Sequence, residues 1–597
     1  MRAVILAAGY GNRMRPLTDN IHKTLLKIAG VPIIDRILAG LSGNGIHDIV
    51  LVTGYRAAEL EAHVLQHHAD LRFTFVHNER FRETNNIYSM ALAFEQAVID
   101  DDILLIESDL VYEPSVIRRI ISSPHENVAL VDRYRTGMDG TVVSLAGDRI
   151  VSVIPSHLQG EDFSFAEKYK TLNIYKFSSE FCKTKFSKIL TYYAKVIDDN
   201  CYYELILGVL IYMQQASINA EIIRGEKWAE VDDANDLRVA EYVFSPQSRR
   251  VLLEKSMGGY WSVDTLDFCF IRNVYFPTSS MLSELKNNLP KLLHNYGSTQ
   301  AILNEKLAFF LLCDSKYVTA LNGLSQIYPW LRARFAGKKI LIPGPTFGEY
   351  LRLSDHLITY QDIFGVDSDE LSAKISQAHV IVVVNPNNPS GSSVDSRFVL
   401  QLAEKHPGKT FIIDESFIEF SEQVSMQQLL AETPLANVLV LRSLSKSLGV
   451  PGLRLGYAYS LDDGFNSWLN AQIPVWNSNS IAEHFLEIIL KHRKSFADSI
   501  EKTKSDRSHF VAALRQVGSF ERVADSEGNF VMVSLPDKRS AQATMEYLLQ
   551  TENIFVKDVS AKFPVLQGFL RFAVRTPEEN SRLLRALRRT QAQGNSV

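Results

Sequence analysis

An α/β architecture built as two unrelated units in tandem is the fold this sequence predicts, and three observations lead to it. At 597 residues the chain exceeds what one hydrophobic core organises. Its first hundred or so residues alternate apolar strand-like runs with helical stretches, the order that gives a parallel, doubly wound sheet with sites at the strands' C-terminal ends. Much later, the apolar runs Val380–Val384 and Thr410–Ile413 each end in polar turn residues, the same strand-then-site pattern around different chemistry.

Composition narrows the class. Hydrophobic residues at 46% and charged residues at 22% are ordinary for a soluble globular protein, and a net charge of −5 argues against a surface that coats nucleic acid. No run approaches the roughly 18 apolar residues of a membrane span. The four cysteines show no paired spacing, so neither a disulfide framework nor structural zinc is expected. The chain opens directly on a strand rather than on an export signal, and the expected location is the cytoplasm.

The first strand, Ala3–Ala7, enters a loop with Gly9 and Gly11, followed by Arg13, Arg15, Pro16, Thr18 and Lys23. Backbone amides freed by glycine, with three cations close behind, suit a nucleoside triphosphate. Strands are expected at 48–53, 73–76 and 103–106. The third ends in Glu107-Ser108-Asp109, where a carboxylate meets bound triphosphate through magnesium or caps a helix. Far along the chain, Trp228-Ala229-Glu230-Val231-Asp232 alternates so that Glu230 and Asp232 share a face, ahead of a capped helix start at Asp233–Asp236. Asp109 with Glu230 and Asp232 gives two carboxylate sources for one or two magnesium ions.

Together, the glycine loop, Arg13, Pro16-Leu17-Thr18 and Lys23 resemble the signature of nucleotidyltransferases that join a nucleoside triphosphate to a small phosphorylated molecule and release pyrophosphate. The resemblance implies a Rossmann-like domain over 1–245, nucleotide contacts from Leu6, Ala8, Gly9, Gly11, Arg13, Lys23 and Asn86, and Arg13 and Lys23 as the catalytic cations. Asn85-Asn86-Ile87-Tyr88-Ser89, Tyr202-Tyr203-Glu204 and the segment 228–236 resemble cytidylyltransferases of phosphocholine or 2-aminoethylphosphonate. CTP and a small phosphorylated or phosphonate amine are therefore the implied substrates, and a sugar-1-phosphate enzyme is the alternative. Tyr203 and Glu204, with Tyr202, either surround an ammonium head or belong to a helix with aromatic core contacts. Lys168, with Lys170, either clasps the acceptor's phosphonate or is a solvated pair.

Around Pro246 the pattern ends, and residues 246–265 are expected to link to a second domain over 266–597. There, Lys446 is flanked by Ser443, Ser445 and Ser447 and followed eight residues on by Arg454 in a glycine-rich apolar run. A lysine so placed suits an imine to an aldehyde cofactor that carries a phosphate. Asp414, at a strand's end, suits a pyridinium nitrogen.

These segments resemble the fold-type-I pyridoxal phosphate (PLP) enzymes of the class I/II aminotransferase group, in particular histidinol-phosphate aminotransferase and threonine-phosphate decarboxylase. The resemblance implies a large α/β domain with a small α+β domain. It also implies that Lys446 bonds the cofactor, Asp414 meets its ring nitrogen, Asn388 sits beside its 3-oxygen and Phe347 stacks on the ring. Ser325, Ser443 and Arg454 are implied to bind the phosphate, and Arg571 to grip a substrate carboxylate. Tyr296 matches a tyrosine that reaches the neighbouring subunit's cofactor, which implies a homodimer. One departure is Phe417, where such aminotransferases often carry tyrosine. The expected enzyme is bifunctional: CMP transfer in the first half, and in the second a PLP-dependent aminotransferase acting with an amino donor on a related small compound, with decarboxylation as the alternative.

Overall fold

The computed structural model describes residues 1–594 apart from 98, 136 and 161. Two compact units, Met1–Asp264 and Thr265–Val597, divide the chain. The stretch read as a linker, 246–265, is mostly folded: the helix Arg249–Ser256 belongs to the first unit, where the Arg249 guanidinium donates to the Tyr242 carbonyl at 3.0 Å.

The first unit is a mixed nine-stranded sheet. In chain order its strands are β1 (Arg2–Ala7), β2 (Asp48–Thr53), β3 (Arg72–His77), β4 (Ile103–Glu107), β5 (Val128–Arg133), β6 (Val142–Ala146), β7 (Arg149–Ile154), β8 (Tyr169–Phe177) and β9 (Asn219–Ile222), arranged spatially as β3-β2-β1-β4-β8-β5-β9-β7-β6. The quartet β3-β2-β1-β4 is parallel, as the early alternation predicts, and Leu6 lies opposite Glu107. The chain reverses its direction of growth between β1 and β4, which opens a crevice at their C-terminal ends. Alternate side chains of β1 feed two apolar layers: Ile5 packs with Ile34, Ile37 and Leu41 of helix α1 (Ile33–Ser42), and Val4 with Ile87 and Met90 of α2 (Asn86–Gln96). Strands β5–β9, added in mixed direction, have no counterpart in the sequence pattern described above. Helix α3 (Glu204–Tyr212) begins at Glu204. A short strand, Trp228–Glu230, precedes α4 (Ala234–Phe244), whose start carries the expected cap: the Asp233 side chain accepts from the Asn235 and Asp236 amides.

The second unit centres on a seven-stranded sheet whose strands are β10 (Val318–Asn322), β11 (Ile340–Gly344), β12 (Leu357–Gln361), β13 (Val380–Val384), β14 (Thr410–Asp414), β15 (Val438–Ser443) and β16 (Leu455–Ser460), ordered β10-β16-β15-β14-β13-β11-β12. All run parallel except β16 against its two neighbours. Fully apolar runs such as Val380–Val384 suit strands covered on both faces. A four-stranded antiparallel sheet follows, in which Phe530–Leu535 pairs with β17 (Gly568–Ala573) and places Met532 opposite Arg571. The basic tail closes the chain as a helix, Pro577–Gly594. Among the described residues no helix is long and apolar enough to cross a membrane.

Candidate active sites

In the first unit the loop after β1 turns at Gly11, whose φ of +63° favours glycine. The Thr18 hydroxyl donates to the Gly11 carbonyl at 2.9 Å and holds the turn. Behind it His22 is buried, with Nε2 3.1 Å from the Ala7 carbonyl oxygen; burial pushes its pKa down to about 4, so it stays neutral and ties the loop to β1.

Next in the chain, the Lys23 ammonium reaches Asp109 at 3.0 Å and Asp232 at 3.1 Å, and Arg13 meets the second oxygen of Asp232 at 3.0 Å. Lys23 and its two partners, 86 and 209 positions away, thus converge with Arg13 on a cleft of about 550 Å³ at the β1/β4 crevice. Leu6, Ala8, Gly9, Gly11 and Asn86 line it too, as expected of nucleotide contacts. Burial opposes the charge of Asp232, yet Lys23 and Arg13 hold its carboxyl below the ordinary value. Glu230 goes the other way: burial raises it to about 7 against the pull of Lys170, helped by Asp109 and Asp232.

Three expectations change in detail. Glu230 and Asp232 converge with Asp139 into a group that could hold a metal ion, their donor oxygens all within 4.8 Å of one another, whereas Asp109 gives one oxygen to Lys23 and keeps a buried one without a partner. Tyr203 does not face the cleft; its ring is fully buried edge-on to Tyr175 at 5.9 Å, and Tyr202 and Glu204 line the cleft instead. Lys168 donates to the Ser144 hydroxyl at 3.0 Å outside the lining, and Lys170 enters it, paired with Glu230 at 3.0 Å. Lys168 precedes β8, so the strand's alternation does not aim it with Lys170. Asn86 does more than line the cleft, because its side-chain nitrogen donates to Glu107 at 2.8 Å while its oxygen accepts from the Tyr203 amide at 3.0 Å. Asp139 escapes a reading of the sequence because it stands in no motif, and Glu107 stands in the strand-end stretch with Asp109 but has no role read from it.

The second site forms where adjacent parallel strands end. Asp414 closes β14, β15 leads through Ser443 into the one-turn helix that carries Lys446, and Asn388 follows β13. The Asp414 carboxylate accepts from the Tyr350 hydroxyl at 2.6 Å and from the Ser416 hydroxyl and amide at 2.6 and 2.9 Å; burial nevertheless raises its pKa. Lys446 donates to the Ser443 hydroxyl at 3.3 Å. Burial lowers its pKa to about 8, with Asp414 opposing and Arg454 and Arg571 reinforcing the shift.

Arg454 donates to the Ser325 hydroxyl at 2.9 Å, and Gly323, at φ +71°, lies where a β-carbon would overlap the Arg454 guanidinium. Arg571 donates to the Asn388 side-chain oxygen at 2.7 Å and to the Cys269 carbonyl at 2.5 Å, and its buried Nε has no partner. The crowded glycine at a serine-arginine pair, the unsatisfied Arg571 and the depressed lysine fit a phosphate-bearing aldehyde cofactor with an anionic substrate. Phe347 is 39% exposed, with its ring 6.0 Å from Tyr328. Phe417 is buried with its ring 5.1 Å from Phe530, so no hydroxyl stands there. Tyr296, 78% exposed, stacks on Trp476 at 4.4 Å and stays at the surface of its own unit. No motif points to Tyr350, Ser416 or Lys562; the Lys562 ammonium donates to the Thr346 carbonyl at 2.7 Å and is lowered to about 8 by burial and by Arg571.

Comparisons with known proteins agree with this division. The family model for class I and II aminotransferases matches residues 272–587, and that for MobA-like NTP transferase domains matches residues 3–169. The CMP-5'-(3-aminopropyl)phosphonate synthase of Streptomyces rubellomurinus is 30% identical over 98% of this chain and 94% of its own length. The L-serine phosphate decarboxylase of Campylobacter jejuni is 30% identical over 54% of this chain and 87% of its own. Among solved structures, a decarboxylase from Sulfurospirillum multivorans covers 56% of this chain and 91% of its own at 26% identity, with a TM-score of 0.50.

Proposed function

Since this chain belongs to the family of class I and II aminotransferases, with an NTP transferase domain ahead of it, we propose that it is a bifunctional enzyme of phosphonate biosynthesis. Its first unit transfers CMP from CTP to a small phosphonate or phosphorylated amine. Its second is a PLP-dependent aminotransferase acting on a related compound. The observation that carries this reading is the cleft in which a glycine loop, Arg13 and Lys23 meet the Asp109, Glu230 and Asp232 carboxylates. The end-to-end likeness to a relative named for a CMP-phosphonate product supports cytidine and a phosphonate.

In the first unit an acceptor oxygen attacks the α-phosphorus of CTP, a new P–O bond forms, the bond to the β-phosphate oxygen breaks, and pyrophosphate leaves. Loop amides around Gly9 and Gly11 hold the phosphates. Arg13 and Lys23, aimed beforehand by their carboxylate partners, stabilise charge that grows in the transition state. Magnesium held by Glu230 and Asp232 with Asp139, and near Asp109, would neutralise the α-phosphate and the departing pyrophosphate.

In the second unit Ser325, Ser443 and Arg454 would hold the cofactor's phosphate, Phe347 would cover its ring, Asn388 would meet its 3-oxygen, and Asp414, held by Tyr350 and Ser416, would meet the ring nitrogen. PLP, when bound, supplies an electron sink for breaking a bond at the amino-bearing carbon. Lys446 carries the proton at that carbon, and Arg571 grips the substrate's carboxylate. Phe417 and the serine phosphate decarboxylase relatives favour a second reading, loss of CO2 from a phospho- or phosphono-amino acid. The exposed Tyr296–Trp476 pair supports a homodimer formed through the second unit. Thiols rather than disulfides at Cys182, Cys201 and Cys313 support work in a reducing cytoplasm.

Pyrophosphate release across CTP, UTP and dTTP with aminophosphonates, phosphocholine and hexose 1-phosphates tests the first half; activity confined to hexose phosphates overturns it. For the second half, amino-donor consumption measured against CO2 release, with phosphonoacetaldehyde, phosphonoalanine and phosphoserine, separates amine transfer from decarboxylation.

A further inference from the structure

We propose that Glu107 and Glu204 form the end of the first unit's cleft that receives the acceptor's primary ammonium, and that this end selects N–H donors over N-methylated or uncharged heads. The proposal rests on the cytidylyl-transfer reading above and adds where, and by what chemistry, the amine is recognised.

Six carboxylates line the cleft: Glu107, Asp109, Asp139, Glu204, Glu230 and Asp232. The cations lining it are Arg13, Lys23 and Lys170, and each is engaged by other acids: Arg13 and Lys23 by Asp232, Lys23 also by Asp109, and Lys170 by Glu230. Lys170 has a further partner in the Thr171 carbonyl at 2.7 Å, so its field reaches Glu204 without a bond. Asp139 belongs with Glu230 and Asp232 in the candidate metal group. Among the described residues, that leaves Glu107 and Glu204 without an ion pair.

Glu204 is only 5% exposed, lines the cleft, and has a buried Oε2 without a hydrogen-bond partner. A buried carboxylate oxygen is costly to leave unsatisfied, so the site is short of a donor. Asn86 presets the pair. Its side-chain nitrogen donates to Glu107 at 2.8 Å, and its oxygen accepts from the Tyr203 amide at 3.0 Å, which fixes the start of α3 and with it Glu204. Burial works against the charge of both carboxyls.

A primary ammonium offers three N–H donors in a small volume, whereas a trimethylammonium offers none and is held by aromatic faces. The aromatic faces here are engaged. Tyr203 is turned into the core beside Tyr175, and the Tyr10 and Phe81 rings each lie under the Arg82 guanidinium, at 5.4 and 5.7 Å. Tyr202 alone does not make a cage.

The test uses the full-length enzyme with CTP and magnesium, reading pyrophosphate release with 3-aminopropylphosphonate, its N-trimethyl analogue and 3-hydroxypropylphosphonate. The amine is expected to exceed both analogues by about 10- to 100-fold in kcat/KM, the worth of charge-assisted hydrogen bonds. Glu204→Gln and Glu107→Gln should each erase most of that preference, read within each variant as the ratio of kcat/KM for the amine to kcat/KM for the hydroxyl analogue, whatever the variant's absolute rate. Equal use of the three acceptors, or variants that lose all acceptors and CTP together, overturns the proposal. No release with any phosphonate overturns the cytidylyl-transfer reading beneath it.

Discussion

Lys446 illustrates how one buried side chain sets a measurable property. Its folded-state pKa of about 8 lies below that of free lysine because burial penalises the ammonium, so below pH 8 the amine is protonated and cannot attack an aldehyde. Reconstitution of cofactor-free protein with PLP, followed by absorbance, should therefore speed up about tenfold per pH unit below 8 and level off above it. A rate still climbing at pH 10 would contradict that placement, and Lys446→Ala should show no such band. Lys446, Asp414, Arg13 and Lys23 were legible in the sequence because each stands in a short motif at a strand's end. Asp139, Tyr350 and Lys562 were not, because tertiary packing alone brings them to the sites. Tyr202 and Tyr203 show the limit: adjacent residues at a helix start point about 100° apart, and the phase that buries Tyr203 is set by the core.

At the scale of elements, the second unit's phosphate-binding turn carries a sharp test. Gly323 combines a positive φ with a β-carbon position that overlaps the Arg454 guanidinium. Gly323→Ala should cost about 1–3 kcal/mol of stability through backbone strain and a displaced arginine, visible as a lower Tm together with weaker PLP affinity. A β-carbon at Gly348 meets nothing within 4 Å, so Gly348→Ala is the matched control and should stay near wild type. The strands that build both sites were legible because buried parallel strands read as apolar runs bounded by turns. The mixed half of the first sheet, β5 to β9, was not: its strands pair in mixed direction and irregular register, as where β7 shifts against β6 between Ile150 and Ser152. The helix at 249–256 reads as a basic helix-like piece after the proline turn, but with only Arg249 and Leu253 buried along it the sequence does not say which unit it joins.

For the whole molecule, two pockets in separate compact units predict separable activities on one chain. Lys23→Ala should lower CMP transfer by about 10²- to 10³-fold, the cost of losing one preorganised charge in a transition-state site, and leave the PLP reaction intact. Lys446→Ala should do the reverse. A chelator should stop CMP transfer alone. The two-unit α/β plan was legible from length and motif placement, while the boundary at Asp264 depended on which unit's core the intervening helix joins. The most direct test of the account is the mass of the product formed when the full-length protein is given CTP, magnesium and 2-aminoethylphosphonate or 3-aminopropylphosphonate. The account predicts a CMP-phosphonate adduct with one pyrophosphate released per adduct. Adducts formed only with hexose 1-phosphates, or from UTP or dTTP in preference to CTP, would contradict it.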